Sequence, residues 1–220
     1  EDDALTRAIQ QFKEATRQDP LFALAHYRLG LASQRDGQPE AAVKAFRDSL
    51  AADPEFIAAY NALAYQLATF ESYYYPAGAA VRSRPVIDPQ TSQTRADESR
   101  RLWLQITQFP AAPAYLADRA SAFYGLCRNA YDTAWDASIA EDNTAKSFYS
   151  DLAYYYCQRA ERLYTQFPPD LRADPNTRKN EAAVLNTLGL VIALRVGQGF
   201  TFPASDWSCL AFAADEQGKL

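Results

Sequence analysis

The stretch HYRLGLASQRDGQPEAA, residues 26–42, holds two glycines inside a pattern that otherwise favours helix. Glycine in a helix interior costs about 0.5–1 kcal/mol relative to alanine, so each glycine needs a structural reason. Gly37 follows a helical pattern, and Pro39 comes two residues later. Glycine is typical of a helix C-terminus, and proline of the first turn of the next helix. The stretch therefore predicts a hairpin of two helices, over residues 23–36 and 39–52.

The other glycine, Gly30, lies in the middle of the first predicted helix, on the same face as His26 and Leu29. Two helix backbones approach each other closely only where a side chain is small or missing. The second predicted helix carries Ala42 on the face that also holds Phe46. We therefore expect Gly30 to face Ala42 at the point where the two helices cross.

The hairpin belongs to a pattern that recurs along the chain at a constant spacing. The segments that recur at this spacing are Asp19-Pro20 and Asp53-Pro54, Leu29-Gly30 and Leu63-Ala64, and Ala8-Ile9 with Phe12 and Ala42-Val43 with Phe46. A helix–turn–helix unit of about 34 residues, which is this spacing, is the period of the tetratricopeptide repeat. Residues 23–56 resemble the consensus of that family, and residues 4–20 resemble the second helix of an earlier repeat. The matching positions are His26, Tyr27, Leu29, Gly30, Ala32, Gly37, Ala42, Phe46, Leu50, Asp53 and Pro54.

The resemblance implies an all-α fold, a right-handed α-solenoid of stacked helix hairpins with one long inserted loop. We expect a single repeat domain over residues 1–220. Its parts are regular repeats over 4–67, an insertion over 71–94 and degenerate repeats over 95–217. After the first hairpin, the predicted hairpins cover 57–109, 113–142, a segment that begins near Ala145, and 180–217.

Two proline-rich segments interrupt the repeat, residues 71–94 and 168–177. The first contains three adjacent tyrosines. One hypothesis is that these tyrosines extend the preceding helix and pack on a neighbour. The other is a partner-binding loop, because tyrosine and arginine are typical anchors of protein interfaces. The candidate residues of that loop are Tyr73, Tyr74, Tyr75, Arg82 and Arg84.

The net charge of −5 and the pI near 5.0 argue against general binding to nucleic acid or to anionic membranes. No apolar run approaches the ~20 residues of a membrane helix, so we expect a soluble chain without a membrane span. The sequence begins at Glu1 and contains no methionine. We take this as the mark of a processed or shortened N-terminus, which slightly favours an extracytoplasmic location.

We expect no catalysis, no metal and no cofactor. His26 is the one histidine of the sequence, and it falls at a position that faces the core of the repeat. Any Ser-His-Asp or Cys-His arrangement would have to use it. The three tryptophans, Trp103, Trp135 and Trp207, fall within helical patterns and are expected in the core.

The three cysteines, Cys127, Cys157 and Cys209, form no CxxC motif and have no histidine nearby, which argues against a metal site. They look like small core residues. Cys127 and Cys157 fall late in the first helices of two consecutive predicted hairpins. A disulfide between them is one possibility, and the sequence leaves their redox state open.

The resemblance further implies a scaffold for protein–protein interaction. Stacked hairpins place their first helices along a concave surface that suits an extended or helical peptide. Family members that bind heat-shock chaperones have lysine and asparagine where this sequence has Tyr27 and Leu31, so we do not expect that partner. The offset within each hairpin predicts the groove residues Tyr27, Arg28, Leu31, Arg35, Asn61, Tyr65, Ser121, Tyr124, Ser150, Asp151, Tyr154, Asn186 and Leu190.

Two other functions remain open. The chain could be a structural subunit that assembles with itself or with other proteins. It could also be the repeat region of a longer enzyme whose catalytic domain lies upstream. In the first hypothesis, the interaction scaffold, the partner is a protein or peptide of unknown identity.

Overall fold

The structure is a computed structural model, and it describes residues 2–69, 89–110 and 112–196. Within these ranges every regular element is a helix, which confirms the predicted all-α class. The chain divides into two compact units, Glu1–Ile106 and Thr107–Leu220. The solenoid arrangement and the single repeat domain stay predictions.

Among its described residues, the first unit has four helices that pack on one another in chain order, followed by most of a fifth. They are α1 (Asp2–Gln18), α2 (Ala23–Arg35), α3 (Pro39–Ala52), α4 (Ile57–Ala68) and α5 (Pro89–Gln108). In the second unit a single 3-10 turn, Pro113–Tyr115, leads into two long helices that pack along each other. The helices of this unit are α6 (Leu116–Ile139), α7 (Asn143–Thr165), α8 (Pro169–Ala173) and α9 (Pro175–Val196).

The repeat period is visible in individual hydrogen bonds before α2 and α4. The backbone N–H of Leu21 donates to Oδ1 of Asp19 at 3.0 Å. The backbone N–H of Glu55 donates to Oδ1 of Asp53 at 2.9 Å. Each aspartate thus closes the turn that leads into the first helix of a hairpin. The predicted equivalence of the two turns is confirmed.

The side chains of His26 and Tyr60 make equivalent contacts in the two hairpins. Nε2 of His26 lies 3.0 Å from the carbonyl oxygen of Pro20. The hydroxyl of Tyr60 donates to the carbonyl oxygen of Pro54 at 3.1 Å. Each ring therefore ties a first helix to the turn before it. The structural role predicted for His26 is confirmed.

The core of the first hairpin forms around Phe46, which is fully buried. A Cβ atom on Gly30 would lie less than 3.0 Å from several atoms of the Phe46 ring, far inside normal contact distance. Gly30 therefore allows the close approach that the sequence predicts, and the atoms nearest to it belong to Phe46 rather than to Ala42. Ala42 lies one helical turn before Phe46 in the same buried cluster, and the longer aromatic side chain fills the space over the glycine.

Gly37 ends α2 in a left-handed conformation, with φ of +71°. Its N–H donates to the carbonyl of Gln34 at 3.1 Å, and the N–H of Gln38 donates to that of Ser33 at 2.9 Å. This pair of bonds is the Schellman motif, which satisfies carbonyls at a helix C-terminus. The predicted boundary between α2 and α3 is confirmed.

The predicted hairpin over 113–142 is wrong. Most of these residues form the single helix α6 of 24 residues, which pairs with α7. The turn between the two helices has Glu141 at φ 59°, where α2 has Gly37. The N–H of Asp142 donates to the carbonyl of Ala137 at 2.9 Å, which again gives a Schellman closure. The predicted limit between residues 142 and 145 falls at this turn, although no glycine marks it. The error is the second turn that was expected within residues 113–142.

Other predicted segment limits also change. The insertion over 71–94 lies mostly outside the described residues, but its end, residues 89–94, belongs to α5. The link over 168–177 contains α8 and the beginning of α9. The second half of the last predicted hairpin lies outside the described residues.

A disulfide joins Cys127 of α6 to Cys157 of α7, whose Cα atoms lie 5.1 Å apart. Both cysteines are fully buried, as expected for core residues. The bond connects the two helices of one hairpin, whereas the sequence placed the cysteines in the first helices of consecutive hairpins. Cys209 lies outside the described residues.

The described tryptophans differ in burial. Trp103 is buried, as predicted, whereas Trp135 is 51% exposed on α6, and the core position predicted for it is wrong. Its ring lies beside that of Tyr131, with ring centres 6.5 Å apart. Helical periodicity alone could not decide which face of α6 is covered. Trp207 lies outside the described residues.

We expect Gly30→Leu to lower the free energy of unfolding more than Gly37→Ala. A leucine at position 30 would collide with the Phe46 ring, and overpacking of this kind costs about 1–3 kcal/mol or more. An alanine at position 37 meets no atom within 4 Å, and only its positive φ is unfavourable, by about 1 kcal/mol. Urea midpoints of both variants and the parent chain give the comparison. Equal midpoints would contradict the packing of Phe46 on Gly30.

Candidate binding surfaces

The first candidate surface is a face of α2 in the first unit. Leu24, Arg28, Leu31 and Arg35 follow one another at spacings of four and three residues, which places them on one side of the helix. All four side chains are exposed, and each leucine is 38% exposed. Neither arginine makes a salt bridge within the described part of the chain. We call these four residues the α2 stripe.

Tyr65 of α4 extends this surface. It is 53% exposed, and it stands one repeat period after Leu31, at the equivalent position of the next first helix. Helices α2 and α4 are in contact within the first unit. The α2 stripe and Tyr65 therefore give a surface that combines apolar groups, an aromatic ring and two positive charges. Four of the six groove residues predicted in this unit, Arg28, Leu31, Arg35 and Tyr65, are exposed on it.

The other two predicted residues of this unit, Tyr27 and Asn61, are half-buried. The ring centre of Tyr27 lies 6.0 Å from that of Phe46 and 5.1 Å from that of Phe56. Tyr27, predicted as a groove residue, is thus also part of the packing, because its ring lies against the buried cluster around Phe46. The side-chain oxygen of Asn61 is enclosed as well. Tyr27 and Asn61 therefore contribute to the packing of the helices rather than to the exposed surface.

In the second unit, two predicted groove residues are engaged by Arg195. This arginine is 5% exposed, and its Nη2 lies 2.8 Å from Oδ1 of Asp151. Its guanidinium carbon lies 4.6 Å from the ring centre of Tyr154, a cation–π contact. Nε2 of Gln158 also donates to the Tyr154 hydroxyl at 3.0 Å. The carboxylate and the ring therefore hold α9 on α7 rather than face a ligand.

The electrostatics of this contact follow from its burial. Partial burial raises the pKa of the Asp151 carboxyl, and the positive charge of Arg195 acts in the opposite direction. Sequence reasoning missed Arg195 because a basic residue in the last turn of a helix is usually explained by the helix dipole. No local pattern connects it with Asp151.

The remaining predicted residues of the second unit are dispersed over its helices. Tyr124 is half-buried on α6, and Asn186 and Leu190 are exposed on α9. Ser150 of α7 is only 1% exposed, so the groove position predicted for it is wrong. Ser121 is hydrogen-bonded to the Tyr164 hydroxyl, so it too serves the interior. Asp151, Tyr154 and Ser121 of the predicted groove are therefore engaged in contacts within the second unit. The candidate loop residues Tyr73, Tyr74, Tyr75, Arg82 and Arg84 lie outside the described residues.

Within the described ranges, no group of three or more His, Cys, Asp or Glu side chains is placed to hold a metal ion. None of the described helices combines the length and the apolar character that crossing a membrane requires. Comparison with known proteins found no family model and no curated protein that matches the chain. The resemblance to the tetratricopeptide family stays a prediction from the sequence.

We expect Asp151→Ala to lower the free energy of unfolding by about 2–3 kcal/mol, because it leaves the buried Arg195 charge without its carboxylate. Asp132→Ala is the matched control. Asp132 pairs with Arg128 one turn earlier on α6, but both of these side chains are 54% exposed. Its loss should cost no more than about 0.5 kcal/mol. Chemical denaturation of both variants tests this, and similar losses would contradict the role of Arg195.

A second expectation concerns alkaline pH. Burial raises the pKa of Tyr164 to about 12, although a hydrogen bond with Ser121 lowers it in part. The unfolded chain releases this proton near the ordinary tyrosine pKa of about 10, whereas the folded chain retains it. The folded state therefore loses stability as the pH rises from 10 towards 12, by about 1.4 kcal/mol per pH unit.

Tyr164→Phe should lack this contribution, so its stability relative to the parent chain should improve between about pH 9 and about pH 11. Urea midpoints of both proteins at the two pH values provide the measurement. A constant difference between them would show that the Tyr164 hydroxyl titrates alike in both states.

Proposed function

We propose that the protein is a non-catalytic scaffold for protein–protein interaction, which binds a peptide or protein segment on the surface formed by the α2 stripe and Tyr65. The observation that carries this proposal is the exposure of two leucines and two arginines along one face of α2. An amphipathic face of this kind is a common docking site for peptides. The tetratricopeptide resemblance supports it, because first helices line the concave side of a right-handed α-solenoid.

The chemistry of the surface suggests what a ligand must carry. Leu24, Leu31 and the Tyr65 ring can cover apolar side chains, and rigid aromatic rings make effective anchors. Arg28 and Arg35 can each take a carboxylate through two parallel hydrogen bonds. A segment with apolar and acidic residues therefore fits this surface best.

We propose to test this with peptides selected from a random display library on the purified chain. Tyr65→Ala and Arg28→Ala should each weaken binding of the selected peptides by about 1–2 kcal/mol, roughly fivefold to thirtyfold. Because both side chains are exposed, the thermal stability of the variants should stay within about 0.5 kcal/mol of the parent.

The control is Lys44→Ala, an exposed residue of α3 whose amine pairs with Asp48 at 2.6 Å. It should leave both binding and stability unchanged. Calorimetric titration on the same samples gives both quantities. If the selected peptides bind the Tyr65 and Arg28 variants as tightly as the parent chain, this surface is not the binding site.

We also propose an extracytoplasmic location. The disulfide between Cys127 and Cys157 supports it, because such bonds persist in oxidising compartments and are rare in the cytosol. Protein taken from its natural source and unfolded in denaturant with an alkylating agent present tests this proposal, because both cysteines are buried in the folded chain. We expect both cysteines to be protected from the reagent until a reductant is added, and alkylation of both without reduction would contradict it.

A further inference from the structure

The α2 stripe has a regular spacing that specifies its ligand more closely than its chemistry alone. Leu24 and Leu31 stand seven residues apart, and so do Arg28 and Arg35. Seven residues make about two turns of an α-helix and rise about 10.5 Å along its axis. At about 100° per residue, the four residues lie within an arc of about 60°, with the leucines on one side and the arginines on the other. The stripe therefore consists of two parallel rows with the same repeat distance.

The charge of the arginine row indicates which groups a ligand must present to it. Arg28 and Arg35 are exposed, and neither forms a salt bridge within the described ranges. The chain as a whole has a net charge of −5, so its surface elsewhere is mainly acidic. Complementary charge fixes the register of an interface and steers the encounter of the partners. The arginine row therefore fits two carboxylates about 10.5 Å apart.

The chain itself does not supply a helix with this pattern of carboxylates. In the whole sequence, two acidic residues stand seven apart at two places, Asp48 with Glu55 and Asp174 with Glu181. Helix α3 ends at Ala52, between the members of the first pair. Asp174 lies before α9, where its side chain accepts backbone N–H groups of the first turn. The residues outside the described ranges contain no such pair. Neither those residues nor a second copy of the chain therefore carries the complementary pattern.

The repeat distance also selects the conformation of the ligand. An α-helix presents the same face again after seven residues, about 10.5 Å, which equals the separation within each row of the stripe. An extended strand presents the same side about every 6.7 Å, so it matches neither row. A polyproline II helix repeats after about 9.3 Å and is the nearest alternative. A second α-helix is the ligand that matches both rows over their full length, as in the seven-residue repeat of a coiled coil.

We propose that the α2 stripe binds an α-helix of another protein, in which two carboxylates and two apolar side chains each recur at a spacing of seven residues. This inference rests on the proposed function, and it adds the conformation and the residue pattern of the ligand. The carboxylates pair with Arg28 and Arg35. The apolar side chains cover Leu24 and Leu31, and Tyr65 of α4 extends the same surface.

The probe is an alanine-rich helical peptide of about 20 residues, in which leucine and glutamate each recur at a spacing of seven on one face. The comparison peptide has the same composition, with one glutamate moved to the opposite face. In a calorimetric titration of the whole chain, we expect the first peptide to bind at least about fivefold more tightly, because it engages both arginines. Equal affinities, or binding of neither peptide, would overturn the proposal. So would tighter binding of a proline-rich peptide with the same leucines and glutamates.

Charge reversal in the chain locates the contact. The double variant Arg28→Glu and Arg35→Glu should lose the glutamate peptide and bind its lysine counterpart at least about tenfold more tightly. Arg178→Glu is the matched control, an exposed arginine of α9, and it should keep the preference of the parent chain. An unchanged preference in the double variant would contradict the proposed pairing. Circular dichroism confirms that each variant is folded.

The peptides selected from the display library separate this inference from the proposed function. We expect them to gain helical circular dichroism when they bind the parent chain. Selected peptides that lose affinity on Tyr65→Ala but stay non-helical in the complex would overturn the helical ligand alone. Selected peptides whose affinity neither Tyr65→Ala nor Arg28→Ala changes would overturn the proposed function together with this inference.

Discussion

The contact between the Phe46 ring and the bare backbone of Gly30 sets the geometry of the first unit. Because a whole aromatic ring occupies the space of a missing side chain, α2 and α3 lie close together. The Tyr27 ring then packs between Phe46 and Phe56, tilted to one and edge-on to the other, and links the first hairpin to the turn before the second. The first unit is therefore held together by the contact between Phe46 and Gly30 and by the aromatic packing around it.

The same contact decides which residues of α2 reach solvent. With Gly30 pressed against α3, the opposite side of the helix carries Leu24, Arg28 and Leu31 outward. The candidate binding surface is therefore a consequence of the core. Because α2 contacts α3 through Gly30, the larger side chains Leu24, Arg28 and Leu31 are not needed for this contact and stay exposed.

The fold of the first unit could be predicted closely because its signals are chemically distinct. Gly37 and Pro39 mark a turn that few other residues can form, and the helix bounds Ala23–Arg35 and Pro39–Ala52 agree with the prediction nearly to the residue. The turn between α6 and α7 in the second unit has no glycine or proline of this kind. Glu141 adopts the positive φ that glycine usually takes, so no glycine marks the turn between α6 and α7. The sequence still placed a limit at residues 142–145, where Asp142 caps α7, but it did not show that α6 runs unbroken from Leu116 to Ile139.

The candidate site was predictable to the extent that exposure follows helical offset. Counting positions along α2 placed Arg28 and Arg35 correctly on an open face. It could not show that Asp151 pairs with Arg195, because that contact joins α7 and α9 across the unit. Nor could it show that the Tyr27 ring is needed for packing, since an exposed groove and an aromatic stack require the same residue type.

The disulfide has a consequence for the topology of the second unit. It joins α6 to α7 well away from the turn at Glu141, and residues 140–144 are exposed. A break in the backbone at this turn would leave the two helices covalently connected and packed side by side. The turn is therefore a natural place for a tag, a new terminus or a protease site, because continuity there does not depend on the peptide chain alone.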